Sequence, residues 1–100
     1  MTTTRINIFR AKNDMVNNLR EFLVAIIPRI EQSPGCRSCQ LLQRQDDIRE
    51  FVVIEVWDSV AAHEAAVKTI PPDSIRVVML MLETPPNGSY YSDQGKCPWL

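Results

Sequence analysis

The stretch Phe51–Trp57, FVVIEVW, is apolar on both of its faces. Side chains of a strand alternate sides, so Val52, Ile54 and Val56 point one way while Phe51, Val53, Glu55 and Trp57 point the other. Both sides need cover. Helices can supply it for one face, but a chain of 100 residues has little left for the second, and the pattern predicts that another copy of the chain provides it.

The surrounding sequence sets the organisation. One hundred residues with 45% hydrophobic content suit one compact domain, with a core over about residues 4–92 and a tail over 93–100. The net charge of −1 and the lack of a basic run disfavour nucleic acid and anionic membrane as partners. The first residues, MTTTRINIFRAKND, hold no apolar run after a basic stretch, and no uncharged segment reaches membrane-spanning length, so a cytoplasmic location is expected. Three cysteines, an odd number, agree with a reducing compartment.

Residues 5–10 alternate, with Ile6 and Ile8 on one side and Arg5, Asn7 and Phe9 on the other, which predicts a first strand. Asn13 or Asp14 is placed to cap a helix reaching about Gln32, with Met15, Val16, Leu19, Phe22, Leu23, Ile26, Ile27 and Ile30 as its apolar stripe. Pro28 falls inside that helix and predicts a kink or a loosened last turn. A second strand over 37–45 pairs with 50–57 through a polar loop at Asp46, Asp47 and Ile48. Asp58 or Ser59 caps a short alanine-rich helix ending near Lys68, and Pro71-Pro72 breaks the chain. Ile75, Val78, Met79 and Leu82 suit one helical face, although the β-branched density of IRVVMLML also suits a strand. Residues 85–88 read as a turn and 89–92 as a short edge strand. The order βαββααβ predicts an α+β fold, one antiparallel or mixed sheet with helices on one face.

The succession of PGC before a strand, a polar hairpin, FVVIEVWDSVAAHEA and a later PPNGSYY resembles the antibiotic biosynthesis monooxygenase family of ferredoxin-like α+β domains. The resemblance runs to Tyr91 and rests on the order and spacing of the motifs. It implies a homodimer whose two sheets face each other as a dimeric α+β barrel, and a pocket in each subunit between sheet and helices. Family members include cofactor-independent oxygenases of polyketide aromatics, haem-degrading enzymes and small-molecule isomerases. Many members carry a histidine on the helix after the Glu-x-Trp-x-Ser strand end; that position holds Ala66, and the sole histidine, His63, lies one turn earlier. Roles tied to the family histidine therefore do not transfer.

The candidate chemistry follows from the pocket-facing side. Glu55, between Val53 and Trp57, is costly to bury without a partner, and burial raises its pKa toward values useful for proton transfer. The competing reading is an ion pair with Arg5, Arg37 or Arg76. His63 shares a helix face with Val60 and Val67 and is a second candidate base, or else a packing residue with one hydrogen bond. Asn7 is the expected hydrogen-bond donor across the pocket. Phe51, Trp57 and Tyr90 are the expected substrate-binding aromatics, with Tyr91 turned to the subunit interface and Trp99 free to dock on the partner.

Cys36-Arg37-Ser38-Cys39 precedes a strand, not a helix N-terminus, and lacks further zinc ligands beyond Cys97 and His63, so no metal site is expected. No phosphate loop, Ser/His/Asp set or nucleotide fingerprint is present. The family resemblance implies a cofactor-independent monooxygenase acting on a small aromatic or hydrophobic molecule. Its alternative is a non-catalytic dimeric ligand-binding or structural module, followed by haem-degrading or isomerase activity.

Overall fold

The structure is a computed structural model and describes residues 1–95. Expectations for Cys97 and Trp99 lie outside the described residues. The chain runs β1 (Thr3–Arg10), α1 (Val16–Glu31), β2 (Cys36–Gln43), β3 (Glu50–Trp57), α2 (Val60–Val67), α3 (Pro72–Met81) and β4 (Asn87–Tyr91). The four strands form one sheet in the order β2-β3-β1-β4 with every neighbouring pair antiparallel. This is the ferredoxin-like α+β arrangement, in which β3 lies between β1 and β2. No described helix is long and apolar enough to cross a membrane.

Directly paired residues share a face, so the register separates the two sides of the sheet. Arg5 pairs with Glu55 and Tyr90, and Asn7 with Val53 and Gly88. Cys39 and Leu41 continue that face on β2, opposite Glu55 and Val53. Burial along β3 alternates strictly, with Phe51, Val53, Glu55 and Trp57 buried and the residues between them half-buried. The buried side is the helix side. There Leu19 and Leu23 of α1 are wholly buried with Phe51 and Val53, and Val78 and Met81 of α3 pack against that cluster. Moving these apolar surfaces out of water is the main favourable term for the fold. Ile6, Ile8, Leu42, Val52, Ile54 and Val56 lie on the other face; Ile8 and Leu42 stay exposed there, and Tyr91 of β4 is 51% exposed.

Element ends differ from expectation for local reasons. Neither Asn13 nor Asp14 caps α1: its N-cap is Met15, without a side-chain cap bond, after a turn closed by Met15 N–H donating to Lys12 O at 3.0 Å. The helix continues through Pro28 to Glu31, and Ser33 N–H closes a tighter turn on Ile30 O. Ser59 does cap α2, its hydroxyl accepting from Ala62 N–H at 3.1 Å. The segment IRVVMLML is helical because Pro72 at the first turn has a suitable φ and no N–H to satisfy, and Asp73 adds an acid to that turn. Leu82, expected on the same helix face, leaves the helix instead, extended and bridged to Ala11, and is buried. Asn87 and Gly88, expected in a turn, belong to β4.

Gly35 sets the entry to β2. Its φ of +85° is a left-handed conformation, and a Cβ there would lie 2.7 Å from Ala62 Cβ. Its carbonyl also accepts from Asp58 N–H at 2.8 Å. One backbone position thus ties the α1–β2 turn to the start of α2.

Candidate active site

Between the helix side of the sheet and the helices lies a cavity of about 330 Å³, near the lower end of the about 300–1,000 Å³ common for ligand sites. Phe22, Leu23 and Ile26 of α1 and Ile75, Val78 and Met79 of α3 give it apolar walls. Its floor is polar, with Arg5, Asn7, Glu55 and His63 side by side and Trp57 closing one end.

The strand register explains the grouping. Arg5 and Glu55 are cross-strand partners, Asn7 lies two residues farther along β1 on the same face, and α2 lowers His63 onto the end of β3. Glu55 is 5% exposed and His63 8%. Trp57 Nε1–H donates to Glu55 Oε1 at 2.8 Å. His63 Nδ1 lies 2.7 Å from the Tyr90 hydroxyl, while Nε2 is 3.8 Å from Glu55 Oε1. The imidazole also meets Trp57 and Tyr90 edge-on, with ring centroids 5.4 and 5.3 Å away. His63 is therefore held on three sides and free to move little.

Burial dominates the electrostatics of both groups. It pushes the Glu55 carboxyl above its usual range, against the opposing effects of the Trp57 hydrogen bond, the Arg5 charge and the Asn7 amide. Burial lowers the His63 pKa, the Arg5 charge lowers it further, and Glu64 opposes. The two shifts bring carboxyl and imidazole toward one another on the pKa scale. Proton exchange among Glu55, His63 and a bound molecule is thereby eased.

No ion pair engages Glu55 with an arginine among the described residues. Arg37 pairs with Asp58 and Arg76 with Asp73, while Arg5 Nε–H donates to Asn7 Oδ1 at 3.1 Å. Ala66, at the position where the family resemblance leads one to expect histidine, lines the cavity beside His63. Phe51 lies elsewhere: it is 1% exposed in the core, beneath Arg20, and is not a wall of the cavity. Tyr90 acts from behind His63 and is likewise not a wall residue.

Cys36 and Cys39 have no place in this chemistry. Burial and the neighbouring Glu55 charge push Cys39 up to about 12, and burial raises Cys36 as well, whereas a reactive thiol needs a lowered pKa. Among the described residues no group of three His, Cys, Asp or Glu side chains could hold a metal ion.

Sequence reasoning missed Gly88, where a Cβ would overlap Asn7 Oδ1 and the Arg5 guanidinium. The signal was available in its side-by-side position with Asn7, but only once the β1–β4 register is known. Arg5 was weighed only as an ion-pair partner, and Arg29, which also lines the cavity, not at all.

The sequence profile of the antibiotic biosynthesis monooxygenase family matches residues 2–71. The chain belongs to that family. No curated protein sequence matches it significantly. Among solved structures it resembles Rv0793 from Mycobacterium tuberculosis, with 23% identity, a TM-score of 0.84, and coverage of 96% of this chain and 98% of that one. PA3566 from Pseudomonas aeruginosa superposes with 22% identity and a TM-score of 0.81, covering 94% and 95%. A variant of SnoaB, a cofactor-independent oxygenase from Streptomyces nogalater, gives 16% identity and a TM-score of 0.81, with 97% of each chain covered. At these identities the likeness defines the fold.

Proposed function

We propose that the protein is a cofactor-independent monooxygenase that oxidises a small electron-rich aromatic molecule inside the cavity. The observation that carries this reading is the His63–Glu55 pair, buried at the polar floor of a cavity whose α1 and α3 walls are mainly apolar. Family membership and the fold shared with SnoaB support it.

Each side chain has a role in the mechanism. In the tautomer protonated at Nδ1, that N–H of His63 donates to the Tyr90 oxygen and leaves the Nε2 lone pair to accept a proton from an activated C–H or O–H of the substrate. Glu55, held by Trp57, stabilises the imidazolium so formed. The Asn7 amide donates to the developing oxyanion. The substrate carbanion passes an electron to O2, and the resulting radical pair combines to a carbon-bound peroxide. Loss of water from it leaves a carbonyl, so that CH2 and O2 become C=O and H2O. Apolar walls keep bulk water from quenching the carbanion.

The same reading includes a homodimer assembled through the open sheet face, which places Ile6, Val52, Ile54 and Val56 against their copies. A binding module without turnover is the second reading, favoured by Ala66 in place of the family histidine. Oxygen uptake with a panel of anthrones and quinols separates the two. The expected outcome is uptake whose kcat/KM rises with pH through an apparent pKa below 6.5, the ordinary histidine value, and a loss of about 10²–10⁴-fold in the Glu55→Gln, His63→Ala double variant. Ligand-induced thermal stabilisation with no uptake across the panel would leave the binding module as the reading.

A further inference from the structure

Arginines elsewhere on this chain are engaged with acids. Arg10, Arg37, Arg44, Arg49 and Arg76 each hold a carboxylate in an ion pair. Among the described residues Arg5, Arg20 and Arg29 do not, and two of those three, Arg5 and Arg29, line the cavity. Among the described residues the only acidic side chain on its walls is Glu55, whose Oε1 is taken by Trp57.

Arg5 is held at two points. Its Nε–H is fixed on Asn7 Oδ1 at 3.1 Å, and its guanidinium carbon lies 4.6 Å from the centroid of the Tyr90 ring. The space for this arrangement exists because residue 88 is glycine, a Cβ there overlapping both Asn7 Oδ1 and the guanidinium. No side chain of the protein accepts a hydrogen bond from the terminal nitrogens of Arg5 among the described residues. A guanidinium fork held flat beside a cavity, with its charge only partly offset, suits two-point recognition of a planar anion.

We propose that the cavity takes an aromatic acid, its carboxylate received by the Arg5 guanidinium and its ring lying between α1 and α3 against Phe22, Ile26 and Val78. This deepens the oxygenase reading and rests on it for turnover, but not for binding. Arg29 adds a second positive charge on the cavity wall and draws anions toward it. Arg5 stacks on Tyr90, which in turn meets His63 Nδ1, so the guanidinium and the imidazole share one aromatic neighbour.

The test is calorimetric titration of the intact protein with 1-naphthoate and with its neutral analogue 1-naphthylmethanol at low ionic strength. The naphthoate is expected to bind at least about tenfold more tightly. That preference is expected to fall to near unity in Arg5→Met and to persist in Arg20→Met, which removes an arginine that likewise holds no carboxylate and does not line the cavity. Equal affinities in the unaltered protein overturn the proposal, as does a preference unchanged by Arg5→Met. Should Arg5→Met not fold, Gly88→Ala displaces the guanidinium without removing its charge and is expected to cut the preference; an undiminished ratio overturns the proposal equally. The two readings fail separately. A protein that prefers naphthoate yet consumes no oxygen with any substrate sinks the oxygenase alone, and one that oxidises neutral quinols without preferring the acid sinks the charge recognition alone.

Discussion

Glu55 shows how one residue can be foreseen in type and misjudged in company. Its position on the helix side of β3 follows from strand alternation, and its burial is confirmed at 5% exposure. Trp57, two residues on along the same face of β3, is a local partner, whereas His63 is brought to 3.8 Å from Oε1 by the packing of α2. The arginines nearest in expectation found other acids or an amide. Burial without a full counter-charge has a consequence for stability. Because the folded pKa of Glu55 is raised, its contribution is fully present below the ordinary value of 4.5 and is lost as pH rises through the folded pKa. Glu55→Gln, which still accepts from Trp57, is therefore expected to be more stable than the parent at pH 8. The advantage should vanish below pH 4.5. Denaturant titrations of the pair at pH 4 and pH 8 measure this, and an advantage constant across that range would contradict a raised pKa.

At the scale of elements, most of the chain was legible because periodicity and breakers agree. The hairpin of β2 and β3, the long α1 stripe and the Ser59 cap all stand where local chemistry puts them. The helical assignment of α3 was open, since β-branched residues suit either state; Pro72 and the packing of Val78 and Met81 against the core decided it. Gly35 is the joint on which two elements depend. Gly35→Ala forces a left-handed backbone on a residue with a Cβ and drives that Cβ into Ala62. The expected cost is about 1–3 kcal/mol, which lowers Tm by about 4–8 °C for each kcal/mol in a domain of this size. Adding Ala62→Gly should return the part due to overlap and not the part due to φ. A thermal scan of the single and double variants reads both.

At the scale of the molecule, the open sheet face remains the strongest sign of assembly. Ile8 and Leu42 are about 40% exposed and flank the half-buried Ile6, Val52, Ile54 and Val56 on a surface that carries no helix, and an apolar sheet face left open in this way suits burial against a second copy. Placing a carboxylate at its centre, Ile54→Asp, is expected to convert a sedimenting dimer into a folded monomer, since a charge there has no partner and cannot stay solvated once buried. A parent protein that sediments as a monomer would remove the proposed interface. The sequence by itself determined the strands, α1 and α2, their order, which face of β3 turns to the helices and which residue types meet there, because strand and helix periodicities are local properties of the chain; it left α3 open between helix and strand. Only the tertiary structure decided that Tyr90 orients His63, that Arg5 crosses Gly88 to reach the cavity, and that Phe51 belongs to the core, because each depends on a register between strands far apart in sequence.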